Sequence, residues 1–143
     1  MKPSVATERL GVLLYDDELD WWAGALPAAD PPVTLHILPD ADGGPDASVA
    51  TAVAFARELE GWRSRATTFA TSRCLEDYNG AWCEPGDEIT AEAFASRIRL
   101  ESIGFYPGGE FELAFADGGL FAGHTILVPG GLADGFEDAY IAG

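Results

Sequence analysis

Residues 100–128 read LESIGFYPGGEFELAFADGGLFAGHTILV, and this stretch decides the fold class. Phe111, Leu113 and Phe115 alternate with Glu110 and Glu112. That period of two puts apolar side chains on one face of a strand and polar ones on the other. It is the pattern of an antiparallel sheet with one face in water. Pro107-Gly108-Gly109 and Asp117-Gly118-Gly119 supply turn residues on either side, so strands are expected over 98–105, 110–115 and 120–128, joined by hairpins. Ile98 and Leu100 have the opposite parity to Ile103 and Phe105, which predicts a bulge near Ser102. Pro129-Gly130-Gly131 is expected to stop the third strand, and EDAYI at 137–141 to add a short last one.

Upstream the period lengthens to three and four. Val49, Ala52, Val53, Ala56 and Leu59 form one helical stripe, with Asp46 placed as its N-cap and Gly61 as its end or bend. Trp62, Ala66, Phe69, Ala70, Cys74 and Tyr78 form a second stripe, stopped by Asn79-Gly80. Thr90 caps a third, short helix, with Ile89 and Phe94 in the spacing of a hydrophobic staple. Before the helices, residues 10–15, 20–26 and 33–38 read as strands, separated by Asp16-Asp17-Glu18 and by Pro27, Asp30, Pro31 and Pro32. In the last of these, Val33, Leu35 and Ile37 share a face and His36 lies opposite. The expected architecture is α+β. A mainly antiparallel sheet in the order β-β-β-α-α-α-β-β-β-β has its helices packed on one face, in a single domain over residues 1–143.

Composition narrows the functional classes. The chain carries 24 Asp and Glu against 8 Lys and Arg, a net charge of −16. Nucleic acid and anionic membranes are poor partners for such a surface, because neutralising phosphate needs clustered cations, whereas a basic protein is a good one. No apolar run is long enough to span a membrane, and the N-terminus, with only Lys2 ahead of Pro3, lacks a signal-peptide pattern, so a cytoplasmic protein is expected. Cys74 and Cys83 are too few for a disulfide scaffold; Cys74 falls on a helical apolar stripe and reads as core.

Catalytic and cofactor motifs fail in turn. GxSxG is absent, and the paired glycines do not open helices as phosphate loops do. Asp16, Glu18 and Asp20 alternate as in a calcium loop, but Trp21 stands where that loop needs glycine. No metal and no cofactor are expected. Two surface candidates stay open. The run Asp16, Asp17, Glu18, Asp20, Trp21 and Trp22 combines carboxylates with indoles that must face opposite sides of a strand, which suits an Arg- or Lys-rich protein through charge and cation–π contacts. The alternative is a small hydrolase or ligand-binding site at His124 with Asp117.

LGVLLYDDELDWWAG near the start, ITAEAF and LESIGF in the middle, and DGGLFAGHTILV and DAYIAG at the end resemble the bacterial family catalogued as domain of unknown function 2262. Its most specific part here is the order Asp117-Gly118, Leu120-Phe121, Gly123-His124, Ile126, Val128. The resemblance implies a small bacterial protein and brings no catalytic residue. By analogy with acidic immunity proteins it points to a binder that neutralises a basic toxin.

Overall fold

The computed structural model describes residues 3–142 apart from 28 and 30. The expectations placed on Lys2 and Asp30 lie outside the described residues. Four strands come first: β1 (Ser4–Thr7), β2 (Gly11–Asp16), β3 (Trp21–Ala25) and β4 (Thr34–Ile37). Helices α1 (Asp46–Arg57), α2 (Leu59–Asp77) and α3 (Ala91–Arg97) follow, with a π-helical turn, Tyr78–Trp82, after α2. The chain ends in β5 (Arg99–Phe105), β6 (Glu110–Ala116), β7 (Thr125–Gly131), β8 (Gly135–Phe136) and β9 (Tyr140–Ala142). The α+β class and the mostly antiparallel sheet agree with the sequence reading. The order differs, with four strands before the helices and five after them among the described residues. β1 and β8 were missed because SVAT and GF are too short to show a period.

The sheet runs β1-β2-β3-β4-β5-β6-β7-β8, with β9 also paired to β7. Every pairing is antiparallel except β4 with β5, the two strands joined through the helices. A parallel pair needs such a long crossover, and the helical segment supplies it. The register shift between Leu100 and Ser102 is the expected bulge, and it lets Leu100, Ile103 and Phe105 all point inward. Phe55 of α1 meets Phe105 and Phe111 edge-on at 5.4 and 5.2 Å, and Trp62 of α2 stacks on Phe55 at 5.3 Å. Leu13, Trp22, Leu35, Leu113, Phe115 and Val128 complete that core, together with Cys74, whose thiol faces the Ala139 carbonyl at 3.8 Å.

Several boundaries move, each for a local reason. Asp46 is the first residue of α1 and not its cap; Pro45 takes the cap position and the Asp40 carboxylate accepts from Ala47 N–H. α1 and α2 part at Glu58, where φ is −126°, and Gly61 lies inside α2. Asn79 and Gly80 do not stop the helix at once. They sit in the π turn, where the Asn79 amide both donates to the Ile89 carbonyl and accepts from the Ile89 N–H, pinning the following loop. Thr90 does cap α3, accepting from Ala93 N–H at 3.1 Å.

β7 starts at Thr125, five residues later than expected, and runs through Pro129 to Gly131. The Pro129 carbonyl accepts from Glu137 N–H, and in a strand a residue's N–H position lies on the same side as its C=O. The missing donor therefore faces away from β6 and costs that ladder nothing. Gly130 is required there, since a Cβ would lie 2.5 Å from the Gly135 carbonyl oxygen.

Candidate functional site

The β2–β3 turn is built by its own carboxylates. The Asp16 Oδ1 accepts from the N–H groups of Glu18 and Leu19 at 2.9 and 3.2 Å, closing the chain on itself. Asp20 takes φ of 55°, a left-handed conformation that Asp tolerates better than most residues. Its Oδ1 accepts from the Tyr15 hydroxyl at 2.5 Å. That bond, then burial, then the carboxylates of Asp20, Asp17 and Asp16 raise the Tyr15 hydroxyl above its usual titration range. Asp17, Glu18 and Asp20 are exposed, and none of the four acids joins a salt bridge among the described residues.

Past the turn the two indoles separate, as strand parity requires. Trp22 is buried with the core and packs on Tyr15 at 4.8 Å. Trp21 faces the other way and stacks on His36 of β4, with ring centroids 4.1 Å apart and planes 17° apart. Burial holds the His36 imidazole below its usual pKa, which favours the neutral ring near neutral pH. The pairings carry Leu14, Ala23, His36, Gly104, Glu112 and Pro129 as one row across this face, and none of the six is buried. Below His36, a groove of about 500 Å³ runs between Pro31 and Pro32 and the side chains of Thr34, Ser102, Arg99 and Glu101. The sequence reading put His36 opposite the core without assigning it to a site. Its neighbour Trp21 is 15 residues away along the chain, so only strand pairing brings the rings together.

The second candidate pair is arranged differently. Asp117 is buried, and its carboxylate accepts from three backbone N–H groups: Gly119 at 3.0 Å, Phe121 at 2.8 Å and Gly123 at 2.9 Å. Burial pushes the Asp117 carboxyl up, and the backbone N–H donors outweigh it, holding the group below the ordinary carboxylate value. Those bonds curl residues 117–124 out of the strand geometry expected for 120–124, because a side chain that captures local N–H groups competes with the ladder. His124 is half-buried, with its ring edge-on to Trp82 at 5.7 Å. No side-chain hydrogen bond joins His124 to Asp117 among the described residues.

Neither cysteine is poised as a nucleophile. Burial, then Asp77 and Asp138, push the Cys74 thiol up to about 11. Burial and the nearby Glu88, Asp87 and Glu84 raise Cys83 too. No three His, Cys, Asp or Glu side chains gather as a metal set among the described residues. No helix among the described residues is long and apolar enough to cross a membrane.

A family model described as "Uncharacterized protein conserved in bacteria (DUF2262)" matches residues 7–141. No curated protein and no solved structure matches the chain.

Proposed function

For a chain that belongs to the family of uncharacterised bacterial proteins DUF2262, we propose a non-enzymatic role as an acidic cytoplasmic binding module that captures a basic protein, in the manner of an immunity protein and its toxin. The observation that carries this reading is the β2–β3 turn. Asp16, Asp17, Glu18 and Asp20 stand within five residues, unneutralised by any described cation, beside the half-exposed indole of Trp21. A concentrated negative field next to an aromatic ring favours guanidinium and ammonium groups, by steering at long range and by cation–π contact at short range. The net charge of −16 extends the same field over the molecule.

The test uses the partner recovered by affinity capture on the full chain. Its association rate should fall steeply with added salt, since exposed charges are screened within about 10 Å at 0.1 M. Replacing Asp16→Asn, Asp17→Asn and Glu18→Gln together keeps the turn's capping oxygen and leaves Asp20 as the turn's one carboxylate. The on-rate of that variant should fall by about tenfold or more at low ionic strength. A captured partner that is itself acidic, or an on-rate indifferent to molar salt, would refute the electrostatic reading.

A further inference from the structure

On the side of the sheet turned away from Phe55 and Trp62, β5 and β6 carry polar residues such as Glu101 and Glu112, as a water-facing side does, whereas β2 and β3 present apolar ones. On β2, Leu13 is buried while its neighbours Val12 and Leu14 point outward, 60% and 51% exposed. Next to them lies the Trp21–His36 stack, and farther along the sheet Tyr140 is 41% exposed. Fully burying a Val or Leu side chain is worth about 1.5–3 kcal/mol relative to leaving it in water, so this face holds free energy that folding does not recover. Val12, Leu14 and the Trp21–His36 stack stand on neighbouring strands, and grouped exposed apolar side chains of this kind mark interaction sites in soluble proteins.

Two further features suit the face to a partner. It is low beside the Trp21–His36 stack, where the small Ala23 pairs with His36, and it is bounded at Gly104, against which the Tyr106 ring and Leu38 lie at 3.8 and 4.0 Å from a Cβ position. It is also rigid, because its strands are paired on both sides and Trp21 is held by stacking, so little side-chain entropy is lost on contact. A second copy of this chain is a poor occupant. Two faces meeting would oppose the carboxylates of Asp16, Glu110 and Glu112 on molecules of charge −16 each, and Arg99, the basic residue lining the groove, already lies 3.7 Å from Glu101.

We propose that this open sheet face, with Val12, Leu14 and Trp21 at its centre and the acidic turn at its rim, is the docking surface for a basic protein that presents an apolar patch. The inference rests on the reading of the chain as a binder of basic proteins and names where the contact is made. The turn steers, and the apolar face retains.

The experiment uses two synthetic peptides of equal positive charge, one alternating Leu and Arg and one alternating Gly and Arg, titrated into the full ¹⁵N-labelled chain at low ionic strength. The Leu/Arg peptide should shift the amides of Leu14, Ala23, His36 and Gly104 and the Trp21 indole N–H. Leu14→Ser should weaken it about tenfold, while the Gly/Arg peptide shifts the turn and ignores that substitution. Ala23→Asp, which puts a carboxylate in the same row as Leu14 and His36, should weaken the Leu/Arg peptide's contact with Leu14 and the Trp21 indole without strengthening that of the Gly/Arg peptide there. Shifts confined to residues 16–20 with both peptides, untouched by Leu14→Ser, would overturn the docking face and leave the acidic-turn reading standing. No binding by either peptide would remove both. A dimer in sedimentation equilibrium that Leu14→Ser dissociates would assign the face to a second copy and overturn the proposal.

Discussion

Two turns of this protein are each organised by an aspartate that folds the backbone around its carboxylate, and they differ in what surrounds them. Asp117 is 6% exposed and spends its oxygens on three N–H groups within the loop that carries Leu120 and Phe121 into the core. Asp16 caps two N–H groups of a turn whose remaining acids stand in water. In the first place the charge is consumed by the fold. In the second the same chemistry leaves charge over, with Asp17, Glu18 and Asp20 available to an incoming cation. The difference comes from burial and not from residue type, since a carboxylate shut away from water must be satisfied by protein donors, here the backbone.

The comparison is most easily broken at Asp117. Asp117→Ala should destabilise by about 3 kcal/mol or more in urea unfolding, because it orphans buried N–H donors that made charge-assisted bonds. Asp117→Asn, which keeps one acceptor, should cost less. If Asp16→Ala, expected to cost about 1 kcal/mol or less, proved equally damaging, the two turns would not differ as described. Gly118→Ala comes next, at about 1–3 kcal/mol, since φ is +61° and the added Cβ would collide with the Arg97 carbonyl. Gly123→Ala, with φ of +86° but no atom nearby, should cost about 1 kcal/mol from backbone strain alone.

Acid sharpens the contrast further. The folded Asp117 carboxyl lies below its unfolded value of about 3.9, so the unfolded chain takes up the proton first. Its stabilising contribution is complete above about pH 4 and is lost as pH falls through the folded value. Urea midpoints of the parent chain should drop there more steeply than those of Asp117→Asn. The smallest effect belongs to His36, whose folded pKa is also depressed. Protonation favours the unfolded chain, so stability present above about pH 6.5 declines as pH falls below it. His36→Gln should remove that decline, and a decline that persists in the variant would have to come from another group.

Much of the fold could be read from residue order. The alternation Phe111, Leu113, Phe115 marked β6 because half-buried strands write their two faces into the sequence. The parity change before Ile103 marked the β5 bulge, and Thr90 marked the start of α3. Residues 120–124 were read as strand because Leu120 and Phe121 are apolar, while the capture of their backbone by Asp117 depends on a carboxylate whose burial no local pattern states. Of the candidate surface, the acidic turn and the opposed facing of Trp21 and Trp22 were legible, since both are local. The Trp21–His36 stack and the uncovered row through Leu14 and Gly104 were not.

By itself, then, the sequence determined the α+β class, the charge, the chief turns and the family, because each depends on residue type and near-neighbour spacing. Only the tertiary structure decided which apolar strand residues remain in water. Val12 and Leu14 look in the sequence like the buried Leu13 between them. Their exposure follows from the pairing of distant strands and the placing of the helices, which is a property of the whole chain.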